Sequence, residues 1–170
     1  MRKQVNHALL FLALICITAM GCGVYSFTGA SIPPGAKTIS IQYFPNNAQL
    51  VEPTLSQTFT DALRDKFVSQ TDLTLVENNG DLQIEGQITG YTVKPVAITG
   101  DQTAALNRLE ITVDVNYVNT LDESKDFDQK FTRYEDFSSE ENLTSRQTEL
   151  IDLINEMLVE DIFNKAVVNW

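Results

Sequence analysis

Hydrophobic and polar residues alternate along several segments of the chain and predict half-buried β-strands. The clearest alternation covers residues 109–117, where every second residue is apolar. Similar patterns predict strands over residues 37–44 and 127–137, and a further strand that begins at Leu82. In that last strand the apolar positions change from even to odd after Gly90, which predicts a β-bulge there.

Two other segments show the spacing of amphipathic helices. Apolar residues recur at helical intervals over about residues 53–69 and again over about residues 144–168, and Asn142 is expected to cap the second of these helices. The polar residues between them are expected to face water, including Ser56 and Thr60 in the first helix and Asn155 in the second. Each helix therefore has one apolar face with which to pack against a sheet.

A short apolar segment, residues 73–76, predicts one more strand, and the Asn79-Gly80 pair after it favours a tight antiparallel hairpin with the strand at Leu82. The predicted element order is β-α-β-β-β-β-α. This order predicts an α+β fold with two helices packed on one face of a mostly antiparallel four- to five-stranded sheet. Residues 37–170 are expected to form a single domain.

The N-terminal 21 residues have the pattern of a signal peptide. A basic start precedes an apolar run over residues 8–20, which is shorter than the roughly 18–20 residues needed to cross a bilayer as a helix. Gly21-Cys22 resembles the cleavage site of a bacterial lipoprotein, so we expect removal of residues 1–21 and acylation of Cys22. Residues 22–36 would then be a lipidated linker. The alternative is an ordinary secretory signal that leaves one unpaired cysteine.

Composition excludes several classes of chemistry. The formal net charge of −11 argues against nucleic-acid binding, which needs clustered cations. Histidine and cysteine occur only at His7, Cys16 and Cys22, so the body of the chain lacks the residues for Ser-His-Asp or Cys-His catalysis, His-ligated zinc, haem or disulfides. Acidic pairs such as Asp81 with Glu85, or Glu135 with Asp136, leave a lipid-anchored carboxylate hydrolase open. We expect no enzyme activity, no cofactor and no metal.

Three stretches carry a resemblance to a known family. The predicted cleavage site is followed by Cys-Gly-Val-Tyr-Ser-Phe-Thr-Gly over residues 22–29, and later by Ile-Ser-Ile-Gln-Tyr-Phe-Pro-Asn-Asn over residues 39–47. A third stretch over residues 81–91 ends in Ile-Thr-Gly-Tyr. Together these resemble the lipopolysaccharide-assembly lipoprotein family, LptE, over nearly all of the mature chain.

The resemblance implies a non-enzymatic protein at the periplasmic face of the outer membrane. Members of the family plug the lumen of the LptD β-barrel, assist its assembly and help to pass lipopolysaccharide to the cell surface. Four cations in the sheet region are candidate lipopolysaccharide contacts, although a solvated face explains each of them more simply: Lys94, Arg108, Lys130 and Arg133. The alternative function is an outer-membrane lipoprotein that regulates peptidoglycan synthesis or supports another secretion pore.

A plug inside a barrel meets polar walls, because inward-facing barrel residues are largely polar. The outer surface of such a domain should therefore be hydrophilic. Polar strand faces predicted to be exposed fit this role, namely Thr112, Asp114 and Asn116 on one strand and Thr38, Ser40 and Gln42 on another. A small polar loop is also a predicted barrel contact, together with the sheet edge: Gly100, Asp101, Gln102 and Thr103.

Overall fold

Five strands form one sheet, and two helices cover one of its faces. The computed structural model describes residues 32–50, 52–96 and 105–168. The elements are strands β1 (Thr38–Ile41), β2 (Thr74–Val76), β3 (Leu82–Val96), β4 (Leu106–Asn119) and β5 (Phe127–Ser138), and helices α1 (Leu55–Gln70) and α2 (Leu143–Phe163). The strand order is β2-β1-β3-β4-β5. The predicted α+β class with two helices is confirmed.

The sheet is mostly antiparallel, as predicted, but it also contains parallel pairings. Strand β1 pairs in parallel with both β2 and β3. The longer pairings of β3 with β4 and of β4 with β5 are antiparallel, as expected. The connection from β2 to β3 crosses over β1. These two strands therefore lie on opposite sides of β1, and both run parallel to it.

This crossing replaces the predicted hairpin at Asn79-Gly80. Asn79 has a positive φ of 55°, as such a pair favours, but β2 and β3 lie on opposite sides of β1. Gly80 is buried against the β1 backbone, where an ideal Cβ would lie 2.5 Å from the nitrogen of Ser40. The Gly80 N–H donates to the Ser40 hydroxyl at 3.3 Å. Ser40 is therefore 3% exposed, and its predicted exposure is wrong.

Asp81 attaches this crossing to the start of β1. Its Oδ2 accepts from the backbone N–H of Lys37 at 2.8 Å, from that of Thr38 at 3.0 Å and from the Thr38 hydroxyl at 2.9 Å. These bonds lower the pKa of the Asp81 carboxyl because they stabilise its ionised form. The bond from the Lys37 N–H has the largest effect. The carboxylate thus joins two segments that are far apart in sequence.

The predicted bulge in β3 is confirmed. Ile88 pairs with Val113, and the next pair is Gly90 with Thr112, so the register shifts between Ile88 and Gly90. The shift keeps Tyr91 buried on the helix side although its parity differs from that of Ile88. The predicted alternation of β4 is also confirmed, since its odd-numbered residues are buried from Leu109 to Tyr117.

The core lies between the sheet and the helices and contains several aromatic contacts. Phe44 of the segment after β1 packs edge-on against Phe59 of α1, with ring centroids 5.1 Å apart. Thr60 is buried, contrary to the sequence prediction, because its hydroxyl donates to the Ser56 carbonyl at 2.7 Å and accepts from the Phe44 N–H at 3.1 Å. Ser56 and Asn155 are buried as well, so their predicted exposure is also wrong.

Helix α2 begins at the predicted place and ends in a wider turn. The Asn142 side chain accepts from the backbone N–H of Thr144 at 2.9 Å, which caps the helix as expected for asparagine. A π-helical turn, Asn164–Val168, follows α2. Within the three described ranges, no helix combines the length and the apolar character needed to cross a bilayer.

Candidate functional site

The face of the sheet away from the helices is the candidate site, and we call it the polar face. It consists of the even-numbered side chains of β4 from Arg108 to Asn116 and of their partners in β3 and β5. Because side chains alternate across a strand, these residues lie opposite the buried odd-numbered residues of β4. The members are Glu85, Gln87, Thr92 and Lys94 of β3, Arg108, Glu110, Thr112, Asp114 and Asn116 of β4, and Asp128, Lys130, Thr132, Tyr134 and Asp136 of β5.

One end of the polar face carries a bidentate ion pair. The Arg108 guanidinium donates through Nε to Asp136 Oδ1 at 2.7 Å and through Nη2 to Oδ2 at 2.9 Å. The same guanidinium stacks 3.5 Å from the centre of the Tyr134 ring. The hydrogen bonds from Arg108 lower the pKa of the Asp136 carboxyl, and in return they raise the pKa of Arg108. Both groups are therefore fully charged at neutral pH.

Two lysines of the polar face pair across neighbouring strands. Lys94 Nζ lies 3.0 Å from Glu110 Oε1, and Lys130 Nζ lies 3.6 Å from Asp114 Oδ1. Opposite charges that face each other across strands stabilise a sheet modestly. The pairing also means that three predicted lipopolysaccharide contacts, Arg108 and these two lysines, already have carboxylate partners.

The fourth predicted cation, Arg133, lies elsewhere. Odd-numbered residues of β5 face the helices, and Arg133 reaches α2, where its guanidinium donates to both carboxylate oxygens of Asp161 at 2.6 and 2.7 Å. These bonds raise the pKa of Arg133. The structure therefore brings together Lys94, Arg108 and Lys130 on one face and separates Arg133 from them.

The centre of the polar face is uncharged, and carboxylates lie beside it. The hydroxyls of Thr112 and Thr132 are 3.0 Å apart and share a hydrogen bond across β4 and β5. A shallow cleft beside them is bordered by Glu85, Asp114 and Asp128. Thr112, Asp114 and Asn116 are thus on the surface predicted for them. Of β5, only Lys130 was predicted as part of this face, although the other even-numbered polar residues of β5 would have indicated a larger contribution.

Some predicted site residues fall outside the described ranges. Gly21 and Cys22, the predicted cleavage and acylation positions, precede residue 32, and the predicted barrel-contact loop of residues 100–103 lies between residues 96 and 105. The described ranges hold no group of three or more His, Cys, Asp or Glu side chains suited to a metal ion.

The acidic pairs named from the sequence are engaged in bonds to the fold or held on opposite faces of the sheet. Asp81 is occupied by its bonds to β1, while Glu85 lies on the polar face. Glu135 and Asp136 are neighbours in one strand, so their side chains point to opposite faces of the sheet. Glu135 and Asp136 therefore lack the opposed geometry that glycoside hydrolysis requires, and the Asp81 carboxylate already accepts three hydrogen bonds.

Comparison with known families decides the class of the protein. The family model of LptE, described as lipopolysaccharide-assembly, matches residues 36–166, which include every strand and both helices. The chain belongs to the LptE family. The resemblance read from the sequence is thereby confirmed. A search of curated protein sequences returns no match.

Several solved structures are similar to this chain at low sequence identity. A neuraminyllactose-binding hemagglutinin homolog from Helicobacter pylori is 8% identical, with a TM-score of 0.51 over 83% of this chain and 88% of its own. A minor lipoprotein from Acinetobacter baumannii is 12% identical, with a TM-score of 0.46 over 76% and 91%. The rare lipoprotein B from Shewanella oneidensis is 11% identical, with a TM-score of 0.43 over 74% and 89%. Of these three, the Helicobacter pylori protein alone has a TM-score above 0.5, and at 8% identity it is evidence for the fold of this LptE-family chain and for nothing more.

Proposed function

We propose that this chain is a non-enzymatic outer-membrane lipoprotein that plugs an LptD-type β-barrel, helps the barrel to assemble and assists lipopolysaccharide transport. The match of the LptE family model over residues 36–166 carries the proposal. The anchor is an acyl chain on Cys22, and the domain faces the periplasm. Lipid must supply the attachment, because the acidic chain is repelled by an anionic membrane surface.

We assign the polar face as the surface of this chain that contacts the inner wall of the barrel. Inward-facing side chains of outer-membrane barrels are polar, so a plug needs hydrogen-bonding groups across its contact surface. The polar face supplies hydroxyls, amides and paired charges, and Tyr134 is its only aromatic member. Such an interface depends on complementarity more than on apolar area.

Lys130 is the first candidate for contact with a lipopolysaccharide phosphate. Its ion pair with Asp114 is the longest of those on the polar face, at 3.6 Å, and its side chain is 63% exposed. Arg108 is held by two short hydrogen bonds and by stacking on Tyr134, so a phosphate would have to replace a better-formed pair. Lys94 is intermediate, with a 3.0 Å pair and 54% exposure.

Site-specific photo-crosslinking tests the assigned surface. A crosslinking residue placed at Thr132, at the centre of the polar face, should produce an adduct with the barrel in intact cells. The matched control position is Thr148, which is exposed on α2. A stronger barrel adduct from Thr148 than from Thr132 would show that the wrong face was assigned. The lack of any barrel adduct from both positions would contradict the plug itself.

A further inference from the structure

A cleft lies at the carboxyl ends of the parallel strands β1 and β2, and we call it the edge cleft. Tyr43 borders it just after β1, Arg64 reaches it from α1, and Leu75 and Glu77 border it at the end of β2. The edge cleft encloses about 480 Å³, a volume within the range of ligand-binding pockets. It is separate from the polar face, because no member of that face lines it.

The chain leaves β1 and β2 toward opposite faces of the sheet. After β1, Phe44 packs against Phe59 of α1 on the helix face. After β2, the connection to β3 crosses the other face, where Gly80 lies against Ser40. Connections that diverge in this way leave a crevice at the carboxyl ends of parallel strands, and ligands of open sheets bind in such crevices. The position of the edge cleft therefore favours a ligand site.

Arg64 supplies a positioned positive charge in the edge cleft. Its Nε and Nη2 both donate to the Ile41 carbonyl, at 3.2 and 2.8 Å. Its Nη1 is not buried and makes no hydrogen bond to any described residue. No carboxylate of the described ranges lies within 4 Å of Arg64, whereas the other arginines of those ranges each have one: Arg108, Arg133 and Arg146. The guanidinium is thus fixed in direction while most of its N–H donors remain available to an anion.

The outer edge of β2 supplies backbone groups beside Arg64. Strand β2 is the last strand on its side of the described sheet. The Thr74 N–H donates to the Lys37 carbonyl at 2.9 Å, so the backbone groups of Thr74 face β1. Because these groups alternate in direction along a strand, the N–H and C=O of Leu75 point to the open edge. The side chains of Tyr43 and Leu75 are 50% and 39% exposed, so apolar surface is available there as well.

From these observations we infer that the edge cleft binds an extended, acidic segment of a partner protein. One carboxylate of the segment accepts from Nη1 of Arg64, and the backbone beside it pairs with Leu75 as an added strand. An apolar side chain of the segment covers the exposed ring of Tyr43. Glu77 lies more than 4 Å from Arg64 and opposes any second anionic group, so the edge cleft fits a single carboxylate. The inference does not depend on the proposed function, which rests on the polar face.

Fluorescence anisotropy with the detergent-purified full-length chain tests the inference. The probe is a rhodamine-labelled peptide of about eight residues, with one central glutamate among alternating threonine and valine residues. The comparison peptide carries glutamine at the central position. Arg64→Gln should weaken binding of the glutamate peptide by about tenfold, because a charge-assisted hydrogen bond is lost. The matched control, Arg146→Gln, removes the same charge on α2 outside the edge cleft and should bind like the wild type.

Two further comparisons separate binding from a structural role of Arg64. Glu77→Gln removes the opposing carboxylate and should strengthen binding by about threefold at low salt, a gain that a damaged fold cannot produce. A glutamate peptide with N-methylated backbone nitrogens should bind more weakly, because pairing with Leu75 needs its N–H groups.

The contrary results are equally distinct. Equal binding of the glutamate and glutamine peptides, including no binding of either, would overturn the docking site, as would equal losses in Arg64→Gln and Arg146→Gln. Weaker binding by Glu77→Gln would overturn the recognition of a carboxylate. Unchanged binding of the N-methylated peptide would overturn the pairing with β2.

Discussion

Replacement of Gly80 by alanine tests the crossing of β1 most severely. An ideal Cβ at this position would lie 2.5 Å from Ser40 N, 2.7 Å from the Ile39 carbonyl carbon and 2.7 Å from the Leu82 oxygen. All three neighbours are backbone atoms, so no side-chain rotation relieves the overlap. Overpacking of this kind costs about 3 kcal/mol, at the upper end of the usual range.

Urea unfolding followed by far-ultraviolet circular dichroism measures this cost. With a slope of about 1.5 kcal/mol per molar urea, Gly80→Ala should lower the unfolding midpoint by about 2 M. The control is Gly90→Ala, whose Cβ would meet only the Thr112 side chain closely, at 3.0 and 3.1 Å. That side chain can shift, so a cost of about 1 kcal/mol or less is expected.

The result that refutes the crossing is equally specific. In an exposed Asn-Gly hairpin turn, Gly80 would have open space around it, and alanine would cost only the strain of a positive φ, about 1 kcal/mol. A midpoint for Gly80→Ala at or above that of Gly90→Ala would therefore mean that β2 and β3 do not lie on opposite sides of β1.

Four further outcomes follow from the structure and the sequence. The pKa of Asp81 is lowered from 3.8, so its bonds, including those from Thr38, contribute stability above about pH 4 that is lost as pH falls through the folded-state pKa. The difference in urea midpoint between the wild type and Asp81→Asn should accordingly shrink from pH 7 to pH 3. Burial raises the pKa of Tyr117 to about 12, so the wild type should lose stability between about pH 10 and 12. Tyr117→Phe should show a smaller loss, because burial also raises the pKa of Tyr91, and its absorbance titration should lack the step near pH 12. Cys22→Ala should remain unlabelled by radioactive palmitate, and normal labelling would refute acylation there. A two-residue turn in place of residues 100–103 should preserve folding yet weaken barrel association and increase permeability to large hydrophobic antibiotics, whereas wild-type recovery of the barrel would exclude the loop as a contact.

Local patterns predicted the elements that depend on local chemistry. The alternation along β4 and the change of phase at Gly90 each reflect which side chains one face of a sheet buries, and both are present in the structure. The cap at Asn142 likewise depends on neighbouring backbone groups alone. These features could be predicted because the residues that determine them are close together in the sequence.

Non-local contacts account for the wrong expectations. Asn79-Gly80 supplies a positive φ in a hairpin and in a crossing connection alike, and only the position of β1 distinguishes the two. Thr60 is polar but buried because Phe44, sixteen positions earlier, donates to its hydroxyl. Arg133 could be placed only once α2 supplied Asp161. Which residues form these hydrogen bonds and ion pairs depends on the tertiary structure, and the spacing of residues along the sequence does not reveal it.

Co-purification tests the central claim most directly. A full-length chain with a C-terminal tag, extracted from its own envelope in mild detergent, should recover an LptD-type β-barrel in equimolar amount. Recovery of the lipidated chain without any outer-membrane barrel, under conditions that keep other envelope complexes intact, would contradict the account.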